Sequence, residues 1–251
     1  MTAVLHLHIP RTGGISVSRA LIAALRDRGV VRATRPADLR AVLDKGTDVG
    51  LVTGHYQWGM HELLSDFVYF TALRDPVERV RSLYDYIRVQ RVHPHHELFA
   101  ARPLGELLDG GPLLDPYFSN GQVRQLAGLR SAADEMGAAL LNRAWENLCR
   151  DDVIVTFTDR IEEGLIALGQ RIDRSIPPYK KAMNRIARTP IADRTSDRIR
   201  ELNRLDAELY RRARERFAPM DIGEISGTAG REPLGFRLGH LARRVRSRLK
   251  V

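Results

Sequence analysis

The stretch HLHIPRTGGIS, residues 6–16, leaves an apolar, strand-like run through Arg11-Thr12-Gly13-Gly14 and enters a helical pattern. Paired glycines let a backbone turn tightly with its N–H groups converging on one spot, and the helix that follows adds the positive end of its dipole. Arg11 contributes a full charge and a fork of donors, while Thr12 and Ser16 contribute hydroxyls. That is the chemistry of an anion cradle, suited to phosphate. The spacing G-x-x-x-x-G-K-[ST] of nucleotide triphosphatases is missing, which argues against a triphosphate held with magnesium. An ordinary tight strand-to-helix turn is the plain alternative. A second cationic strand end follows in YFTALRDPVERVRSLYDYIR, residues 69–88. Arg74 closes the apolar run, Asp75-Pro76 reads as an N-cap and first-turn proline, and Ser82 falls two turns further on. Arg74 and Ser82 are candidates to clamp a second phosphate, whereas Arg79 and Arg81 read as solvated charges on a helix face.

Strands and helices must alternate to place these motifs. Apolar β-type runs occur at 3–9, 49–53, 67–73 and 152–157, with helical periodicity at 16–28, 37–44, 76–91 and 134–148. Such alternation predicts right-handed crossovers and a parallel sheet covered on both faces, with ligand beyond the carboxyl ends of the strands. Residues 92–120, rich in Pro, Gly and His, read as a long excursion or lid. One terminal helix is expected over 196–217 from Ile199, Leu202, Leu205, Leu209, Ala213 and Phe217.

A length of 251 residues and 43% hydrophobic content suit one large domain, expected over 1–230, followed by a basic tail over 231–251. The net charge of +9 invites a nucleic-acid reading, but residues 231–251 carry seven Lys/Arg against one Glu, and the rest of the chain only +3. The basicity belongs mostly to the tail, and no nucleic-acid partner is expected. The tail's leucines and arginines form an amphipathic pattern that is a candidate for peripheral membrane contact, with body packing or disorder as the bland alternatives. A single cysteine, no signal-peptide order and no apolar span of roughly 18 residues lead to the expectation of a cytoplasmic protein, peripheral at the inner membrane surface if the tail binds there.

Taken in order, LHIPRTGGIS and FTALRDPVERVRSLYDY resemble the carbohydrate sulfotransferases, particularly the heparan sulfate 2-O and 6-O type. The resemblance reaches from about residue 4 to residue 217. It implies a P-loop-containing nucleotide-hydrolase-like three-layer α/β fold with a central parallel sheet, and 3′-phosphoadenylyl sulfate (PAPS) as sulfuryl donor without a required metal. It also implies that Arg11, Thr12, Gly13, Gly14, Ile15 and Ser16 hold the 5′-phosphosulfate, and that Arg74 and Ser82 hold the 3′-phosphate. GHYQW (54–58) stands where the family places its catalytic histidine, so His55 is the candidate base, Arg11 the candidate for charge on the leaving group, and Trp58 a candidate acceptor contact. SNGQVRQLAG (119–128) is similar to a segment of the 6-O enzymes, with Asn120, Gln122 and Arg124 as acceptor contacts or organisers of the lid. In KKAMNRIART (180–189), Lys180, Asn184, Arg188 and Thr189 match a loop that such enzymes lay over the nucleotide; a plain cationic loop is the alternative. Two departures stand out: Arg11 replaces the usual Lys, and Ile15 replaces a hydroxyl residue.

The remaining histidines read as structural. His6 and His8 share one face of a strand and read as packed or near-site residues, His61 as a helix-surface residue, and HPHHE (93–97) as a solvated lid without metal-ligand spacing. Cys149 reads as packed. The expected acceptor is a glycan or glycolipid hydroxyl. A non-carbohydrate alcohol, or a small-molecule kinase with magnesium-dependent ATP binding, are the alternatives.

Overall fold

The computed structural model describes residues 2–110, 118–128, 137–179 and 186–217. Its elements in chain order are β1 (Ala3–Leu7), α1 (Gly14–Ala24), β2 (Gly29–Arg32), α2 (Pro36–Leu43), β3 (Val49–Gly54), β4 (Phe67–Leu73), α3 (Pro76–Ile87), α4 (His96–Ala101), α5 (Leu104–Leu107), α6 (Gly121–Leu126), α7 (Ala138–Leu148), β5 (Val153–Phe157), α8 (Ile161–Ile172), α9 (Asp193–Leu202) and α10 (Arg204–Arg216). The strands form one parallel sheet in the order β2-β3-β1-β4-β5.

Period-two alternation divides the sheet's side chains between two helical layers. Val4, Leu51, Val68 and Phe70 pack against Val17 and Leu21 of α1 and Leu165 and Leu168 of α8. Leu5, Leu7, Val52, Tyr69 and Leu73 face Val123 and Leu126 of α6, Leu140 and Ala144 of α7 and Leu209 of α10. This is the three-layer α/β fold, with a central parallel sheet, that the alternation predicts. A third cluster joins Val80, Leu83 and Ile87 of α3 to Phe99, Leu104 and Ile199, so the excursion after α3 is packed down by its own apolar residues.

One expectation is corrected, and some elements fall outside the sequence reading. The single terminal helix is two, α9 and α10, broken at Asn203, which is fully buried. Its side-chain N–H groups donate to the carbonyls of Phe118 and Ile199, and its Oδ1 accepts from Asn120 N, so the break lets one residue tie two distant segments. Strand β2 and helix α8 were not anticipated. Among the described residues the β2 segment GVVR pairs only with β3, and it is too short to show a period. The expected tail, with Lys180 and Asn184, lies outside the described residues.

Candidate functional site

The turn between β1 and α1 is built as a cradle. Gly13 takes the left-handed conformation (φ 87°) as N-cap of α1, and Arg11 adopts φ 70°, a conformation that costs a non-glycine residue energy. The Nη1 of Arg74, at the end of β4, donates to the Arg11 carbonyl over 3.0 Å, which holds that strained residue in place. A Cβ on Gly14 would fall 1.8 Å from the His8 ring, so only glycine lets the helix start against that imidazole. The N–H groups of Gly14 and Ile15, in the first turn, have no acceptor inside the helix.

The two strand-end motifs meet here. The Nε of Arg11 donates to Ser82 Oγ at 3.1 Å, and its guanidinium lies 4.7 Å from the centre of the Tyr86 ring. Arg74 is in turn held by Gln122, whose Oε1 accepts from Arg74 N at 3.0 Å and whose Nε2 donates to Arg74 O at 2.9 Å. Glu78 draws Arg188 to 2.7 Å and Arg74 to 3.5 Å. Burial holds the guanidinium pKa values of Arg11 and Arg74 below the ordinary range. For Arg74 the neighbouring cations Arg188 and Arg11 add to that depression, against the opposing pull of Glu78. A partly desolvated cation cluster of this kind is relieved by a multiply charged anion. The site therefore fits the phosphates for which the residue types were singled out.

On the other side of α1's first turn a cleft of about 490 Å³ opens at the carboxyl ends of β1, β2 and β3. His55 faces it, exposed, directly after β3. Its Nδ1 lies 2.7 Å from the carbonyl of His8, and because a carbonyl only accepts, Nδ1 carries the proton and Nε2 keeps its lone pair. Gln125 donates to the same carbonyl at 3.2 Å. The ring of His8 packs 4.2 Å from that of His55 and stacks on His6 at 5.5 Å. Burial first, and the neighbouring His55 second, push His6 down to about 3 and His8 down to about 2, so both rings are neutral beside the base. His6 is buried in a network with Thr53 Oγ1 (2.9 Å) and Ser18 Oγ (3.2 Å).

Several residues singled out by sequence sit elsewhere than expected. Thr12 is buried, and its hydroxyl donates to Ile9 O at 2.9 Å, so its proton is spent inside the turn. Ser16 is buried and hydrogen-bonded to Tyr179. Ile15 is 52% exposed and lines the cleft with His55, turned away from Arg11's contacts with α3. Thr189 Oγ1 donates to Asp85 Oδ1 at 2.6 Å and accepts from Arg88, which straps residues 188–189 to α3. Trp58 stacks on Tyr69 at 4.2 Å, and Asn120 and Gln122 are buried with their amides engaged in the fold. Arg124 donates to Ser119 O. None of these four lines the His55 cleft.

Arg79 is the main correction. It is 2% exposed, with its Nε 3.7 Å from Asp206, which accepts from the N–H groups of Gln122 and Val123. Its position with Pro76, Val80, Leu83 and Ile87 on the buried face of α3 was the available signal. Arg81 is also mostly buried, at 21% exposure. His61 is half-buried and bonds to Tyr69 Oη at 3.1 Å. In the HPHHE segment, His96 bonds to Ile87 O at 3.3 Å. Among the described residues no group of three or more His, Cys, Asp or Glu side chains is placed to hold a metal ion, and no helix is long and apolar enough to cross a membrane. Burial raises the Cys149 thiol pKa, in keeping with a packed residue.

Fold and site together define a three-layer parallel α/β protein in which two cationic strand ends meet beside a histidine-faced cleft. No family model and no curated protein matches the chain. Among solved structures, that of mouse sulfotransferase SULT7A1 complexed with PAP is similar at 13% identity, covering 92% of this chain and 67% of that one with a TM-score of 0.42.

Proposed function

We propose that this chain is a sulfotransferase that takes the sulfuryl group of PAPS and passes it to a hydroxyl of a carbohydrate or glycolipid acceptor. The observation that carries this reading is the contact between the two strand-end motifs, Arg11 donating to Ser82 and Arg74 donating to Arg11 O. A donor with phosphates at both its 5′ and 3′ positions matches an anion site with two adjoining halves. The N–H groups of Gly14 and Ile15 and the Arg11 guanidinium would hold the 5′ end, and Arg74 and Ser82 the 3′-phosphate, with Arg188 at the rim.

PAPS supplies an activated sulfuryl group, whose loose in-line transfer resembles phosphoryl transfer in depending on positioning and charge stabilisation. The chain's residues do the rest. His55 Nε2 takes the proton of the acceptor hydroxyl, with the imidazole fixed in the productive tautomer by the carbonyl of His8. Arg11 offsets negative charge on the phosphate side. The neutral rings of His6 and His8 add no competing charge beside the base.

The test is transfer of radiolabel from PAPS to fractionated cell-envelope glycolipids and glycans. His55→Ala is expected to lower turnover by roughly 10²–10⁴ while 3′,5′-bisphosphoadenosine still raises the melting temperature. Turnover close to that of the unaltered protein would remove the base role.

A further inference from the structure

Helix α1 turns Ile15, Ser18, Arg19 and Ile22, spaced at i, i+3, i+4 and i+7, toward the cleft that His55 faces. Arg32 closes the opposite wall at the end of β2, followed by Ala33. Two features of this wall are unexplained by donor binding. Ile15 exposes a branched apolar side chain to this cleft, at a position where the resemblance expects a hydroxyl residue. Arg19 and Arg32 are both exposed, and among the described residues neither has an ion-pair partner, although ion pairs engage many of the chain's other arginines. Apolar surface and unpaired cations on the two sides of one cleft, with the base between them, are complementary to a single kind of molecule.

We infer that the acceptor is an anionic amphiphile: a hydroxyl presented to His55, an apolar body against Ile15 and Ile22, and a carboxylate, phosphate or sulfate between Arg19 and Arg32. This rests on the sulfotransferase reading and narrows its acceptor. It also gives Ile15 a task on the acceptor side of the turn, where a hydroxyl residue would leave the cleft wall polar.

Equilibrium binding to the full chain, below micelle-forming concentrations, tests it with octyl glucuronide, octyl glucoside and free glucuronate. Octyl glucuronide is expected to bind at least about tenfold tighter than either, since one lacks the charge and the other the apolar body. Arg19→Gln with Arg32→Gln should bring octyl glucuronide within about threefold of octyl glucoside, and Ile15→Ser should weaken both octyl compounds together. Equal affinity for the two octyl compounds, equal affinity for octyl glucuronide and free glucuronate, no binding of any of the three, or a preference that survives the double substitution would overturn the inference. Stabilisation by 3′,5′-bisphosphoadenosine, measured in parallel, is expected to be unaffected by Arg19→Gln and Arg32→Gln. Its absence from the unaltered protein would remove the sulfotransferase reading, while a preference for octyl glucuronide would still assign the cleft to an anionic amphiphile.

Discussion

Arg11 works through both ends of its chemistry. Its side chain reaches Ser82, and its carbonyl, in a left-handed backbone that arginine seldom adopts, is the acceptor that places Arg74. Arg74→Ala is therefore expected to weaken 3′,5′-bisphosphoadenosine by about 10- to 100-fold in calorimetric titration, the worth of a lost charge-assisted contact plus a relaxed Arg11. Gly14→Ala is expected to cost donor affinity without touching any charge, because its methyl group and the His8 ring cannot share one position. At this scale the sequence was legible where chemistry is encoded in residue type: cations, paired glycines and Ser82. It was silent on Glu78 as the carboxylate that gathers Arg74 and Arg188, and on Thr12, whose hydroxyl serves the turn rather than a ligand. Those roles depend on which of several donors the fold turns inward.

Between elements, the site hangs on a buried polar chain. Asp206 of α10 faces Arg79 of α3 and caps α6 through Gln122 N and Val123 N, and the Gln122 side chain then grips the backbone of Arg74. Asp206→Ala would strand the Arg79 charge in the interior and is expected to destabilise the fold by about 3–5 kcal/mol in urea unfolding. Gln122→Leu keeps the packing volume but leaves the N–H and carbonyl of Arg74 without their partners, so the expected result is reduced bisphosphoadenosine affinity together with a lowered unfolding midpoint, a loss of about 1–3 kcal/mol in urea unfolding. Strands β1, β3, β4 and β5 were legible because each falls on a short apolar run, at 3–9, 49–53, 67–73 and 152–157. The four-residue edge strand β2 was not, and neither was the break at Asn203, since an asparagine inside an apolar period carries no sign of the partners that will bury it.

The whole molecule should feel acid through its buried imidazoles. His6 is 1% exposed with its pKa pushed down to about 3, well below the ordinary value of 6.5. Between those values the unfolded chain binds a proton that the folded chain refuses, so stability present above pH 6.5 is lost as the pH falls, by roughly 1.4 kcal/mol per unit for this group. His6→Gln is expected to flatten that slope when unfolding is followed from pH 6.5 to pH 4; an unchanged slope would place the acid sensitivity elsewhere. The placing of the Arg11–Arg74 cluster between β1 and β4, and of the cleft that His55 faces between β1 and β3, is the property no single motif encodes. On the proposed function, the two strand-end motifs make one site for a 3′,5′-bisphosphate. The decisive measurement is titration of 3′,5′-bisphosphoadenosine against adenosine 5′-monophosphate in EDTA. Binding is expected to be metal-independent, with the bisphosphate preferred by at least about tenfold and that preference lost in Arg74→Ala. Equal affinity for the two nucleotides, or binding only when magnesium is restored, would contradict it.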